Sequence, residues 1–315
     1  MQKGVVIYMK RTLLIVNPRA GKMKAKGALF DIIQALSDAE HRVTVELTKY
    51  SGHAAELAHE LSDDFDVIVC IGGDGTLNEV VTGILEAGTE CPIGYIPAGS
   101  TNDFGTTLGI SKNVRKAARD IAEGIEKQID VGVFGDRYFT YVASFGAFTS
   151  TSYDTPQNLK NALGHLAYVL QGISNIPSIR AENLRIETDR GTVYEGGYIF
   201  GAISNTTSVG GVISLDERIV TMNDGSHELL LVKAPKNIAD LNHCISAILS
   251  QKYDSDMIEF DSMSAGTVFS ENPIVWSLDG ERAETSGSIR VRNLNRAITM
   301  ILPSSTMDSS LLIGG

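Results

Sequence analysis

Residues 67–85 read VIVCIGGDGTLNEVVTGIL, and this stretch decides the fold of the first part of the chain. Val67–Ile71 is a continuous apolar run, which is typical of a strand buried on both faces of a parallel sheet. Gly72 and Gly73 end that run. A stripe of apolar residues at helical spacing follows, at Val80, Val81, Ile84 and Leu85. The stretch therefore predicts a strand, a glycine-rich turn and a helix, which together begin a βαβ unit.

The same alternation of strands and helices extends in both directions from this stretch. Short apolar runs predict further strands at residues 12–16, 43–47 and 93–96. Apolar stripes predict helices at residues 25–36 and 54–61, and a third helix from Val114 to about Lys127. Because strands and helices alternate at βαβ spacing, the first part of the chain is predicted to form an open parallel sheet.

The rest of the chain has a different pattern, dominated by short predicted strands. Helices are predicted only at residues 159–173 and 237–249. Strands are predicted at residues 184–188, 198–203, 228–233, 274–278, 289–292 and 297–302. Turn signals recur about every ten residues, which indicates an antiparallel sandwich or barrel. The predicted fold class is therefore α/β plus all-β, with the boundary near Asp130–Gly135.

The composition argues against several classes of protein. The 315 residues include 27 Lys and Arg and 38 Asp and Glu, so the formal charge is −11 and a non-specific nucleic-acid binder is not expected. No apolar run reaches the roughly 18 to 20 residues that span a bilayer. The cysteines Cys70, Cys91 and Cys244 lie far apart and form no CxxC pair, which argues against a zinc site or a disulfide framework. Free thiols fit a cytoplasmic location.

Four polar, glycine-rich clusters stand at strand ends, at residues 17–21, 72–79, 97–104 and 279–281. Ligands of open α/β sheets bind at the carboxyl ends of strands. In the second cluster, glycines would point backbone N–H groups at a pyrophosphate, and the dipole of a helix beginning near Leu77 would add positive charge. Asp74 would repel phosphate unless a cation lay between them, so it is interpreted as a Mg²⁺ ligand. The alternative is a tight turn in which Asp74 caps the helix.

Two common nucleotide motifs are absent from the sequence, the GxxxxGK[ST] loop and a GxGxxG between the first strand and helix. The four clusters, in this order, instead resemble the diacylglycerol kinase catalytic-domain superfamily, in its soluble bacterial lipid kinase branch. Sphingosine and ceramide kinases are relatives, and NAD kinases and 6-phosphofructokinases are more distant ones. The PxGxxNDF pattern at Pro97–Phe104 points to the lipid kinases rather than to NAD kinases. The resemblance extends from about Thr12 to Pro303.

The resemblance implies an architecture and an ATP site. It implies a Rossmann-like, phosphofructokinase-like domain at residues 9–132, completed by about 298–315, and a β-rich lipid-substrate domain at 133–297, with the active site in the cleft between them. Ser100 stands where the family usually has Thr, and its hydroxyl preserves the donor. The residues implied to bind ATP are Asn17, Pro18, Arg19, Ala20, Gly21, Thr48, Gly72, Gly73, Asp74, Gly75, Thr76, Leu77, Asn78 and Ser100.

The resemblance also implies catalytic carboxylates. Asp74 and Asp103 would place the catalytic metal, Asp103 directly or through water. Asp279 and Glu281 would face one side of an extended segment, because side chains alternate along a strand. One of them would accept the proton of the substrate hydroxyl, and the other would anchor the network of metal and water. Glu281 is favoured as the proton acceptor, with Asp279 as the close rival. The alternative is an Asp-Gly turn between two strands.

A second Mg²⁺ is implied at residues 221–226, in a turn that precedes a predicted strand. Asp224 would give its carboxylate, while Thr221 and Ser226 would give backbone carbonyls. This metal would be structural. The alternative is a hairpin turn without metal. The loop at residues 144–157 matches the family's pattern only loosely, which leaves the identity of the acceptor open.

The leading hypothesis is an ATP- and Mg²⁺-dependent kinase that phosphorylates a hydroxyl of a membrane lipid, with diacylglycerol the favoured acceptor. One alternative is a kinase of a sphingoid, a prenol, NAD or another soluble substrate. Another is a protein that binds nucleotide or lipid without turnover. The expected location is cytoplasmic, with transient contact at the inner face of the membrane. Lys112, Arg115, Lys116 and Arg119 could touch anionic headgroups, although a solvated helix face is favoured. A homodimer is left open.

Overall fold

The computed structural model describes residues 9–20, 24–99, 102–146, 180–205, 208–209, 213–214, 222–250 and 255–304. The chain divides into two compact units. The first unit holds the described residues up to Ile129 together with those from Ala297 onwards, and the second unit holds Asp130–Arg296. The long strand Glu281–Leu302 therefore begins in the second unit and ends in the first.

Strands of the first unit form a parallel sheet. Its strands are β1 (Lys10–Val16), β2 (His41–Leu47), β3 (Val67–Gly72) and β4 (Ile93–Pro97), joined by the last residues of Glu281–Leu302. The order is Glu281–Leu302, β4, β3, β1, β2, and each neighbouring pair is parallel. Every residue of β3 and β4 is buried, which explains the unbroken apolar runs from which these strands were predicted.

Five α-helices lie in the described residues of the first unit, together with a 3₁₀ turn at Ser62–Asp64. The helices are α1 (Lys24–Asp38), α2 (His53–Leu61), α3 (Asp74–Ala87), α4 (Asp103–Thr107) and α5 (Val114–Ala122). Two predicted helix ends were wrong. Helix α3 begins at Asp74 rather than near Leu77, directly after the glycines. Helix α5 ends at Ala122 rather than near Lys127, because the chain turns at Gly124, where a Cβ atom would lie 2.4 Å from the Asp120 carbonyl oxygen.

The second unit is built mainly from antiparallel strands. Its first strand, β5 (Ile125–Phe134), begins in the first unit. The others are β6 (Arg137–Phe139), β7 (Val142–Gly146), β8 (Glu182–Thr188), β9 (Val193–Ser204), β10 (Ser208–Val209), β11 (Ile213–Ser214), β12 (His227–Lys233), β13 (Ile258–Met263), β14 (Ala265–Leu278) and β15 (Glu281–Leu302). One helix, α6 (Ile238–Ser250), lies between β12 and β13.

The main strand order of the second unit is β13, β12, β9, β7, β14, β15, and all of these pairs are antiparallel. Strand β8 pairs with β9 and β14. Trp276 is fully buried at the centre of the core of this unit, with the rings of Phe134 and Phe145 at 4.7 and 4.8 Å. Large aromatic rings of this kind bury much apolar area and stabilise the unit.

Some sequence predictions for the second unit need correction or lie outside the described residues. The strands predicted at residues 289–292 and 297–302 are parts of the single strand β15. Strands β5, β6, β7, β10, β11 and β13 were missed. The predicted helix at residues 159–173 and the loop from residue 147 to 157 lie outside the described part of the chain. None of the helices within the described residues is long and apolar enough to span a membrane.

Candidate active site

The glycine-rich turn after β3 and the loop after β1 meet at one edge of the parallel sheet. The Asn17 side-chain amide donates to the Thr76 hydroxyl at 2.9 Å, and the Asn17 backbone N–H donates to the Ile71 carbonyl at 2.8 Å. The Arg19 N–H in turn donates to the Asn17 side-chain oxygen at 3.0 Å, which closes a tight turn. Two of the predicted ATP-binding segments therefore contact each other directly.

The loops after β3 and β4 also touch, through glycines. A Cβ atom on Gly99 would lie 2.5 Å from the Gly73 Cα atom, so no side chain fits at that position. The Ala98 and Gly99 N–H groups both donate to the Gly72 carbonyl, at 2.8 and 3.2 Å. The two loops therefore run in backbone contact, and this close approach requires a glycine at position 99.

Asn102 holds the loop after β4 in shape. Its backbone is left-handed, with φ of 54°, and its side-chain oxygen accepts the Gly99 N–H at 2.8 Å while its amide donates to the Gly99 carbonyl at 2.9 Å. The Tyr95 hydroxyl lies 3.3 Å from both the Asn102 side-chain oxygen and the Gly72 carbonyl. Asn102 was quoted in the sequence motif but given no role, and its role here is to brace the loop.

Asp74 and Asp103 lie side by side at this edge. Asp74 is only 7% exposed, and its two carboxylate oxygens accept the backbone N–H groups of Asp103 at 3.1 Å and of Phe104 at 3.3 Å. Asp74 thus does not cap its own helix, which begins after Gly73. It instead binds the first amides of helix α4 and so places the Asp103 side chain beside its own.

The pKa of Asp103 is raised to about 6, first by burial and then by the negative charge of Asp74, while the positive charge of Lys112 acts in the opposite direction. Two neighbouring carboxylates in partial burial repel each other, so a positive charge between them would be stabilised. Within the described residues, no group of three or more His, Cys, Asp or Glu side chains converges to hold a metal ion. A pair of carboxylates fits Mg²⁺, which is often held by one or two carboxylates together with substrate phosphates.

The other predicted ATP-binding residues of the first unit have different positions. Thr48 directly follows β2, and its N–H donates to the Val16 carbonyl at 2.9 Å. Leu77 is fully buried and its N–H donates to the Gly73 carbonyl, so it supports the turn from the core. Pro18 and Arg19 are exposed, whereas Ala20, Gly75 and Asn78 are partly buried in the first loop and at the start of α3. Gly21 and Ser100 lie outside the described residues.

The second unit holds the other two predicted catalytic carboxylates, and the structure treats them very differently. Asp279 and Gly280 form the turn between β14 and β15, both with positive φ, of 51° and 93°. Asp279 therefore does not lie in an extended strand, and the expectation that its side chain and that of Glu281 face one side of such a segment was wrong. An Asp-Gly pair is the preferred sequence for such two-residue hairpin turns.

The Asp279 carboxylate is saturated with donors. It is 5% exposed and accepts the Thr140 N–H at 2.5 Å, the Thr140 hydroxyl at 2.8 Å, the Tyr141 N–H at 3.1 Å and the Val142 N–H at 2.9 Å. Burial raises the pKa of Asp279, and these donors act against that rise. The carboxylate thus orders residues 140–142.

Glu281, in contrast, is accessible. Its side chain is 49% exposed, and its carboxylate pairs with the Arg137 guanidinium at 3.1 Å. A second Arg137 nitrogen donates to the Arg282 carbonyl at 2.7 Å. Of the two carboxylates in this turn, Glu281 is the one that a substrate hydroxyl could reach.

The predicted structural metal turn is held by a residue that sequence reasoning missed. Asp130 is fully buried, and its carboxylate accepts the Gly225 N–H at 2.7 Å and the Arg296 N–H at 2.6 Å. Burial raises the pKa of Asp130, and these hydrogen bonds lower it in part. The signal in the sequence was the one charged residue in the stretch Ile129–Phe134 of β5, which is unusual for buried residues of a strand.

The residues of that turn offer oxygen donors. Asp224 is exposed, and one of its carboxylate oxygens accepts the Ser226 N–H at 2.9 Å. The Ser226 carbonyl accepts the Asn293 side-chain amide at 3.1 Å, which leaves one lone pair for another partner. Thr221 lies outside the described residues. A carboxylate and a carbonyl are ligands that suit Mg²⁺, so the described donors fit the predicted ion.

Comparisons with known proteins place the chain in a family. Residues 11–134 match the family model of the diacylglycerol kinase catalytic domain. A diacylglycerol kinase of Bacillus subtilis (strain 168) is 33% identical over 94% of this chain and 97% of its own length. A diacylglycerol kinase of Staphylococcus aureus (strain bovine RF122 / ET3-1) is 32% identical over 96% of each chain.

Solved structures agree. The crystal structure of a candidate diacylglycerol kinase from Bacillus anthracis str. Sterne is 25% identical, with a TM-score of 0.79 over 95% of this chain and 99% of that one. The chain therefore belongs to the diacylglycerol kinase family. This confirms the resemblance inferred from the four clusters, and with it the assignment of the chain to the lipid kinases.

Proposed function

We propose that the protein transfers a phosphoryl group from ATP to the hydroxyl of a membrane lipid in a Mg²⁺-dependent reaction, with diacylglycerol as the acceptor. The observation that carries this proposal is the adjacent pair Asp74 and Asp103, beside two glycine loops in backbone contact. The choice of acceptor is supported by the diacylglycerol kinases that share about a third of their residues with this chain.

In this proposal the first unit binds the nucleotide. Backbone N–H groups of the glycine turn at Gly73–Gly75 face the phosphates, aided by the positive N-terminus of α3, and the loops after β1 and β4 border the same site. Thr48, Thr76 and Asn78 add polar contacts. Asp74 and Asp103 hold Mg²⁺, which when bound neutralises charge on the phosphates. Phosphoryl transfer depends mostly on such positioning and charge neutralisation.

In the second unit, Glu281 is proposed as the group that accepts the proton of the lipid hydroxyl. Its half-exposed carboxylate can accept a proton without breaking a buried network, and Arg137 can take part in orienting it. Asp279 is proposed as a positioning residue instead, because its buried carboxylate accepts four hydrogen bonds from residues 140–142.

Two further parts of the proposal concern a second ion and the membrane. Asp224 and the carbonyls of Thr221 and Ser226 would hold a structural Mg²⁺ that fixes the turn before β12.

Contact with the membrane would be peripheral and reversible. Helix α5 offers only a weak basic surface for it, because Arg115 pairs with Asp31 at 2.8 Å and Lys116 pairs with Asp120 at 2.7 Å.

A panel of acceptors tests the proposal. Purified protein is given labelled ATP, Mg²⁺ and mixed micelles that contain diacylglycerol, sphingosine, ceramide or a prenol, with NAD as a soluble acceptor. Label should appear in phosphatidic acid and should depend on Mg²⁺. Label in another lipid would replace diacylglycerol as the proposed acceptor, and label in NAD would favour a soluble substrate. Binding of lipid without any transfer would contradict a kinase.

A further inference from the structure

The carboxylate of Glu79 binds backbone amides at the start of helix α2. Glu79 lies in α3, five residues after Asp74. One oxygen accepts the Gly52 N–H at 2.8 Å and lies 3.5 Å from the Ser51 hydroxyl, and the other accepts the Ala54 N–H at 3.1 Å. A residue of one helix therefore binds the N-terminal amides of another.

Helix α2 needs such a partner. Its N-cap residue is Gly52, which has a left-handed backbone with φ of 89° and no side chain with which to cap the helix. The first amides of a helix have no acceptor within the helix, and a negative charge there is favourable. Glu79 supplies both the acceptor and the charge from the neighbouring helix.

The packing of the two helices fixes the reach of Glu79. Gly83 follows Glu79 by four residues, so the two share one face of α3. A Cβ atom on Gly83 would lie 2.2 Å from the Ala55 carbonyl oxygen and 2.9 Å from the His59 nitrogen. The helices α2 and α3 are thus in backbone contact one turn beyond Glu79, which leaves the carboxylate within reach of Gly52 and Ala54.

The bonds to Glu79 join two segments of the proposed ATP site. Residues 48–52 connect β2 to α2 and begin with Thr48, whose N–H is held by the Val16 carbonyl at 2.9 Å. The far end of this connection is held by Glu79, and α3 begins at the glycine turn that would meet the phosphates. Residues 48–52 are therefore fixed at both ends. Thr48 is bonded to β1 of the sheet, and Gly52 is bonded to Glu79 of α3.

We infer that Glu79 is a positioning residue for nucleotide binding, which sets the place of the Thr48–Gly52 connection relative to the glycine turn. This inference rests on the proposed function. Glu79 contacts backbone amides rather than substrate, so its loss changes the affinity for ATP and leaves the lipid step alone. A residue that only stabilised the fold would lower the amount of active protein without changing the KM for ATP.

The test compares Glu79→Gln with the control Glu86→Gln, which removes the same charge from an exposed position of the same helix. The glutamine side chain can accept only one of the two N–H groups and presents its own NH₂ to the other. The KM for ATP should rise about tenfold in Glu79→Gln. The KM for the lipid and kcat should each stay within about twofold, and Glu86→Gln should match the wild type. Hydrogen exchange should rise at Gly52 and Ala54.

Glu79→Asp serves where the glutamine variant does not fold, since it keeps the charge but withdraws it by one methylene. It should show the same rise in the KM for ATP in smaller degree. An unchanged KM for ATP in a folded Glu79 variant, beside an active wild type, would overturn the inference alone. A wild type that transfers no phosphate to any acceptor would overturn the proposed function, and faster exchange at Gly52 and Ala54 would still report the contact.

Discussion

The two units each contain a pair of carboxylates from the sequence motifs, and the two pairs are built in opposite ways. In the first unit, Asp74 uses two oxygens to bind amides of α4, and this brings the second carboxylate, Asp103, beside it. In the second unit, Asp279 is buried under four donors while Glu281, two residues later, stands half exposed. The number and kind of donors around a carboxylate, rather than its place in a motif, decide what it can do.

The largest expected effect tests the first pair. Asp74→Asn removes one charge from the proposed metal site and should lower kcat/KM for lipid phosphorylation by about 10³-fold or more. The control Asp63→Asn changes an exposed carboxylate of the same unit and should leave the rate unchanged. Circular dichroism should show native folding in both variants. Wild-type turnover in Asp74→Asn would remove Asp74 from the mechanism.

The next largest expected effect is on stability, and it concerns Asp279, the buried carboxylate of the second pair. Asp279→Asn presents an NH₂ group to donors that need an acceptor, so the free energy of unfolding should fall by about 3 kcal/mol. Denaturant unfolding measures this fall. Asp136→Asn, at an exposed turn of the same unit, serves as the control and should change little. A fully stable Asp279→Asn that had lost its activity would instead point to a direct chemical role for Asp279.

Glu281→Gln should lower the catalytic rate and leave stability nearly unchanged, whereas Asp279→Asn should mainly lower stability. Loss of a proton acceptor should lower kcat by about 10²-fold, while the free energy of unfolding should change by less than about 1 kcal/mol because the residue is half exposed. Glu284→Gln is a matched control on the same strand, since Glu284 is also exposed and paired with an arginine, Arg282, at 3.2 Å. If both glutamine variants retain full activity, Glu281 is not the base.

The smallest effect concerns the partner of Glu281. Arg137→Gln removes a half-exposed ion pair, and such pairs contribute about 1 kcal/mol or less. Stability should therefore hardly change, and kcat should change by less than about threefold if the arginine only orients the carboxylate. Steady-state kinetics measures this. A loss as large as that in Glu281→Gln would mean that the pair, rather than Glu281 alone, performs the proton transfer.

Much of the first unit could be predicted from sequence because its signals are local. The unbroken apolar runs of β3 and β4 and the glycines after them follow from burial on both faces and from close backbone approach. The motifs also identified the family. What sequence could not give was the direction of side chains, because Asp279 and Glu281 look alike in a motif and differ only in the residues that fold against them.

The errors have a common physical cause. Helix α5 was extended to Lys127 because its apolar stripe continues through Ile125. A Cβ atom on Gly124 would lie not only against the Asp120 carbonyl oxygen but also 2.6 Å from that of Leu302, a residue far away in the sequence. Asp130 was overlooked for the same reason, since its carboxylate accepts the N–H groups of Gly225 and Arg296, which are far away in the sequence. Contacts between residues far apart in the chain leave no periodic pattern to read.

The contact between Gly73 and Gly99 makes the shape of each glycine loop depend on the other loop. Neither loop can hold its shape without the other, because the amides after β4 are bonded to the last carbonyl of β3 and the glycine backbones touch. A fragment that ended before β4 would contain the GGDGT sequence but not its geometry. The anion-binding shape is thus a property of the assembled sheet and comes into being only when β3 and β4 have paired.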